Sequence, residues 1–149
     1  MGQVIKNVIT GKEIIKPDPV DEEIPFDGGV MITETDTAGV ITYANRKFRN
    51  MTGYTKEELI GVPHSINRHP DMPKAAFKGM WEVIKGGNYW EGYVKNMAKS
   101  GKYYLVVVWI KPKFNDAGEI VGYIAGRKIP ERSAMNAALA QYKEMVAAE

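Results

Sequence analysis

Both histidines of this chain fall within the stretch Pro63-His64-Ser65-Ile66-Asn67-Arg68-His69-Pro70-Asp71-Met72-Pro73, alongside an arginine, an aspartate and three prolines. Proline fixes φ, removes a backbone donor and pushes the preceding residue toward extended geometry. His69 and Met72 are therefore held out of helix, and the side chains between them point in set directions. A rigid polar loop of this kind suits a pocket wall. Its residue types admit several chemistries: imidazole could ligate a haem iron, and the planar arginine fork suits phosphate oxygens. A surface turn that enters a helix at Asp71-Met72-Pro73 would use the same residues, so the loop alone does not decide. Catalysis has less support, since the sequence carries no metal-ligand cluster, no Ser-His-Asp arrangement and no phosphate-binding loop.

The elements that must position this loop follow from pattern. Val30–Thr35 and Val40–Tyr43 are β-prone runs around the turn Asp36-Thr37-Ala38-Gly39, a hairpin signal. Asn45 can cap a short helix through Met51 that Gly53 ends, and Thr55-Lys56-Glu57-Glu58 has capping-box spacing for another short turn. Lys74–Lys85 carries apolar residues at Ala76, Phe77, Met80, Trp81 and Ile84, a helical stripe closed by Gly86-Gly87. Three β-prone runs follow, Tyr89–Asn96, Lys102–Lys113 and Glu119–Lys128. The order predicts an α+β unit over residues 28–128, a five-stranded antiparallel sheet with helices over one face. Within the fourth run, period two sends Val106, Val108 and Ile110 toward the helices and Val107 and Trp109 to the other face. That outer pair calls for a cover, either a terminal helix or a second copy in a homodimer, unless the outer face is itself a wider core.

The flanks read differently. Residues 1–27 mix the pairs Val4-Ile5, Val8-Ile9 and Ile14-Ile15 with Gly11, a Lys-Pro-Asp-Pro break and an acidic run, the pattern of an arm. Thr10-Gly11-Lys12 could turn a hairpin, or the early apolar pairs could form one amphipathic helix; periodicity leaves both open. Residues 129–149 are rich in strong helix formers, with Met135, Ala138, Leu139, Tyr142, Met145 and Val146 at three-four spacing, and predict an amphipathic helix.

Composition narrows the class. The 149 residues are 44% hydrophobic and 26% charged, a globular balance. A net charge of +2, spread along the chain, gives no basic stripe for nucleic acid. No apolar run approaches the roughly 20 residues that span a bilayer, and the first residues lack the order of a secretory signal, so a cytoplasmic protein without membrane insertion is expected. The chain has no cysteine. Thiolate metal sites and cysteinyl adducts are thereby excluded, and any redox or light chemistry must belong to a non-covalently held group.

The motifs Ile41-Thr42-Tyr43-Ala44-Asn45 with Phe48, Gly53-Tyr54 with Glu57-Glu58-Leu59-Ile60-Gly61, the loop Arg68-His69-Pro70-Asp71-Met72-Pro73, Ala76-Phe77 with Met80-Trp81, and Trp90-Glu91-Gly92-Tyr93-Val94-Lys95-Asn96 together resemble PAS domains. Within that family they resemble the sensory domains of bacterial aerotaxis and energy-taxis receptors, over roughly residues 30–128. The resemblance implies a PAS fold and non-covalent FAD serving as a redox sensor. It implies that Arg68, His69 and Asp71 meet the polar part of the cofactor, that Trp90 lies close to it, that Asn96 hydrogen-bonds the flavin, and that Asn45 is a further candidate. It also implies signalling to a chemotaxis-type receptor or a histidine-kinase-type partner. If 149 residues is the whole protein, that output passes to another chain. One departure is the aliphatic run Leu105-Val106-Val107-Val108 where aerotaxis receptors tend to carry Trp and polar residues, which leaves room for a more hydrophobic cofactor. The alternatives are a haem-binding gas or redox sensor with His64 or His69 as axial ligand, and a cofactor-free interaction module.

Overall fold

Val4-Ile5 and Ile14-Ile15 pair with one another in the structure, a computed structural model that describes residues 2–149. They form strands β1 (Gln3–Lys6) and β2 (Glu13–Lys16), antiparallel with Ile5 opposite Ile14. Of the two forms the early apolar pairs allowed, the hairpin is the one adopted. It is more than an arm, because Ile5 and Ile14 are buried in the main hydrophobic core. Asn7 locks it there. Its side chain donates to the Ile60 carbonyl and accepts from the backbone of Ile9 and Thr10, while the Val8 N–H donates to the Gly61 carbonyl. The bonds to Ile60 and Gly61 reach more than fifty residues along the chain, which is why local periodicity gave no hint of them.

The polar segment Val20–Glu23 is strand β3, which runs parallel to the start of a later strand. The expected antiparallel sheet follows: β4 (Met31–Thr35), β5 (Ile41–Ala44), β6 (Trp90–Met97), β7 (Lys102–Phe114) and β8 (Ile120–Lys128). Neighbours run β6-β7-β8-β4-β5, all antiparallel, and β3 adds to β7 as a sixth strand. Helices α1 (Arg46–Thr52) and α2 (Lys56–Leu59), a 3-10 turn at His64–Asn67 and α3 (Lys74–Lys85) lie between β5 and β6 in the chain. Their ends are set locally. Asn45 caps α1 by accepting from the Phe48 N–H, and Gly53 ends it in a left-handed conformation. Thr55 and Glu58 form the full capping box of α2.

The two faces of β7 divide as period two requires. Val106 and Val108 are buried beneath the helices, whereas Val107 and Trp109 on the opposite face are only half-buried. Trp109 lies flat over its cross-strand partner Gly126, where a Cβ would sit 2.1 Å from the indole. The last helix, α4 (Arg132–Ala147), packs against β6 and β7, buries Met135 completely, and donates the Tyr142 hydroxyl to the Tyr93 carbonyl at 2.8 Å.

Candidate functional site

A cavity of about 300 Å³ lies between the sheet and the helices. That volume is at the lower end of the roughly 300–1,000 Å³ of small-molecule sites. Thr33 and Thr35 of β4, Trp90, Val94 and Asn96 of β6, Val108 and Ile110 of β7, and Tyr123, Ala125 and Arg127 of β8 form its sheet side. His64, Ser65 and Arg68 of the proline-rich loop and Phe77, Met80, Trp81 and Ile84 of α3 form the other. The apolar stripe read along Lys74–Lys85 is thus the roof of the cavity, braced by Trp81 edge-on to Tyr123 at 5.4 Å. Such a site, mostly apolar with a few converging polar groups, has the usual make-up of a ligand pocket.

Strand β6 aims three of these groups. Trp90, Gly92, Val94 and Asn96 share a face by period two, and the Trp90 ring folds back over Gly92, whose missing side chain leaves the room. A Cβ at Gly92 would meet that ring at 2.5 Å. The loop is pinned to the same strand: Arg68 and Asn96 form a backbone bridge, and the Asn67 amide donates to the Met97 carbonyl. Arg68 therefore enters the cavity opposite Asn96, its guanidinium 4.2 Å from the centre of the Phe77 ring.

The inner end of the cavity holds a charge that sequence reasoning missed. Arg127 is 3% exposed and sits over the Phe48 ring at 5.1 Å. One terminal nitrogen, Nη2, donates to the Thr33 hydroxyl at 3.0 Å and to His64 Nε2 at 2.7 Å, while Nε and Nη1 are buried without a hydrogen-bond partner. Burial pulls its pKa down to about 10, which leaves it cationic at neutral pH. The His64 ring, enclosed by Phe48, Thr33 and Arg127, has its pKa pushed down to about 3 by burial and then by the arginine charge. It is neutral, and its Nε2 is an acceptor. The Tyr104 hydroxyl lies close to Asn96, its cross-strand neighbour, and to Arg127; it makes no hydrogen bond of normal geometry, and burial raises its pKa strongly. The signal for Arg127 was present: Tyr123, Ala125 and Arg127 share one face of β8, and an arginine on a face of apolar residues needs an explanation.

The structure brings Arg68, Trp90 and Asn96 together around the cavity and places the other sequence candidates elsewhere. His69 is buried behind the loop, edge-on to Tyr103, where its Nδ1 accepts from the Asp71 N–H; burial and then Lys95 push its pKa down to about 4. Asp71 is exposed and pairs with Lys95 at 2.9 Å, which holds its carboxyl below the usual range. The bond from the Asp71 N–H to His69 Nδ1 and the Asp71–Lys95 pair hold these two side chains outside the cavity lining. Asn45 is committed to capping α1 and to the Val30 carbonyl. Of the two histidines considered for haem, His64 has Nε2 taken by Arg127 and Thr33, and His69 does not line the cavity. Among the described residues there is no group of three or more His, Cys, Asp or Glu placed to hold a metal, and no helix is long and apolar enough to cross a membrane.

The PAS fold family matches residues 41–125. The chain is 45% identical over 101 residues to the aerotaxis receptor of Escherichia coli strain K12, covering 68% of this chain and 20% of that protein. It is 33% identical over 96 residues to the nitrogen fixation regulatory protein of Klebsiella pneumoniae, covering 64% and 19%. The chain thus spans about a fifth of the length of these curated relatives. The light-state structure of the LOV domain of the blue-light photoreceptor Aureochrome1 superposes with a TM-score of 0.66 at 22% identity, over 74% of this chain and 90% of that one, a likeness of fold.

Proposed function

The chain belongs to the PAS family, and on that premise we propose that it is a cytoplasmic redox sensor that holds FAD non-covalently and passes the redox state to a chemotaxis-type receptor or kinase. It is a binding and signalling module rather than an enzyme. One observation carries the proposal: an apolar cavity lined by Asn96, Arg68 and the buried Arg127, which has nitrogens without a hydrogen-bond partner, in a chain without cysteine. A buried cation with donors to spare calls for an electron-rich ligand edge. A flavin bound here would supply the electron chemistry. Trp90, Val108 and Ile110 would enclose its ring and exclude water. Arg68 offers its fork to phosphate oxygens. The Asn96 amide presents a donor and an acceptor, so by turning it can match a ring edge before and after that edge gains a proton. The commitment of His64 Nε2 to Arg127 and Thr33 favours flavin over haem.

A route outward starts at Asn96. The same strand carries Tyr93, whose carbonyl receives the Tyr142 hydroxyl of α4, so a shift of β6 changes how α4 is held. For signalling, the two redox states must favour two arrangements of α4 by different free energies. The absorption spectrum of the purified protein is the direct test. A flavin band that bleaches with dithionite is expected; a Soret band would replace the proposal with haem, and a featureless spectrum after FAD reconstitution would leave an interaction module. Asn96→Ala is expected to weaken flavin retention or shift its potential. Unchanged occupancy and potential would remove Asn96 from the mechanism.

A further inference from the structure

We propose that Lys16, carried by the N-terminal hairpin, joins Arg68 to form a phosphate-binding rim at the mouth of the cavity, selecting a phosphate-bearing nucleotide over its uncharged analogue; the flavin identity of that nucleotide rests on the function proposed above. Strand β2 places the lysine. Ile14 is buried and Ile15 exposed, so Lys16 shares the inward face with Ile14 and its stem lies along the protein. Its Nζ donates to the Ser65 carbonyl at 2.8 Å. Ser65 is exposed and lines the cavity, which marks the rim, and Arg68 enters the cavity from the same loop.

Lys16 is thereby tied to the loop that carries Arg68. Among the described residues, neither Lys16 nor Arg68 has a carboxylate within ion-pairing distance. The acid on the loop, Asp71, is engaged by Lys95. Lys16 has its pKa held down by partial burial and then by the charge of Arg68. Like charges brought together and partly dehydrated are stabilised by a shared anion. The ammonium keeps donors to spare beyond its bond to Ser65, and the planar face of Arg68 on Phe77 leaves the edges of its fork open. A mono- or diphosphate group suits both.

The test titrates the wild type, Lys16→Met and Lys16→Arg with riboflavin, FMN and FAD, following flavin fluorescence, and separately with inorganic pyrophosphate by thermal shift. Lys16→Met should bind FAD and FMN about tenfold more weakly, one charge-assisted contact reduced by partial exposure, with riboflavin unchanged and Lys16→Arg near wild type. A parallel fall for riboflavin, or unchanged FAD affinity, would overturn the rim. If no flavin binds, the flavin proposal fails, and pyrophosphate judges the rim alone. Stabilisation of the wild type that is lost in Lys16→Met supports it, and absence of stabilisation refutes it. If flavin binds, a pyrophosphate effect with no nucleotide effect would overturn the nucleotide rim and leave a site for a free anion in its place.

Discussion

Arg127 is a positive charge in the interior that forms no ion pair with a carboxylate among the described residues, and its two unpartnered nitrogens carry a standing cost. Even buried ion pairs can be replaced by well-packed hydrophobic residues of similar volume at no loss, or with a gain of about 1–4 kcal/mol, and a buried ion without a carboxylate has no ion pair to lose. Arg127→Met should therefore leave the ligand-free protein as stable as the wild type or more so in urea unfolding, while flavin affinity drops at least about tenfold. Loss of both stability and binding would make Arg127 a packing residue. The histidines give a pH prediction. Both have folded pKa values near 3 to 4, below the ordinary 6.5, so between those values the unfolded chain binds more protons than the folded one. Stability is then complete above about pH 6.5 and falls as the pH drops toward 4. Urea midpoints at pH 5 and 7.5 should differ clearly for the wild type and less for His69→Gln; equal midpoints would mean that neither ring is desolvated. At this scale the family resemblance singled out Arg68, Trp90 and Asn96, which line the cavity, because each lies in a short motif, the proline-rich loop or the run of β6. The sequence did not disclose the inner end of the cavity, because Thr33, His64 and Arg127 meet only through the register of β4 against β8 and the return of the loop.

Elements were legible where their ends are set by neighbours in the chain. The helix read as Lys74–Lys85 has those bounds, and the caps at Asn45, Gly53 and Thr55 act as expected. Strand β3 escaped notice because Val20-Asp21-Glu22-Glu23 has no apolar alternation; the bonds from the Val20 N–H to the Gly101 carbonyl and from the Ile24 N–H, just past its end, to the Tyr103 carbonyl are what align it with β7. The strands also carry fitted pairs that composition hides. In Gly92→Ala the new methyl would collide with the Trp90 ring that lines the cavity, so flavin binding should fall together with a change in Trp fluorescence. In Gly126→Ala the collision is with Trp109 on the outer face, where overpacking costs typically about 1–3 kcal/mol. Gly126→Ala should lower the urea midpoint and spare the spectrum of bound flavin; the reverse ordering of the two variants would contradict the assignment of faces.

At the scale of the molecule, the N-terminal hairpin and α4 both tie into the structures that build the cavity, the hairpin through Asn7 and Lys16 and α4 through Tyr93 of β6. Asn7 is buried, and its amide meets the Ile60 carbonyl beside Gly61, where a Cβ would fall 2.3 Å from the Asn7 side-chain oxygen. Removing that amide leaves the Ile60 carbonyl and the turn N–H groups of Ile9 and Thr10 without their partner, at a cost of about 1–3 kcal/mol. Asn7→Ala should therefore loosen the hairpin as a unit and carry Lys16 away from Ser65. Two measurements separate the local effect from the global one. Hydrogen exchange should speed up through β1 and β2 while β7 and β8 keep their protection, since the central sheet does not depend on the hairpin for its ladder. FAD binding should weaken by about the factor expected for Lys16→Met, and combining the two substitutions should add little, because both act through the same ammonium. Full additivity would mean that the hairpin supports the cavity by packing Ile5 and Ile14, and that Lys16 acts independently of how firmly its strand is anchored.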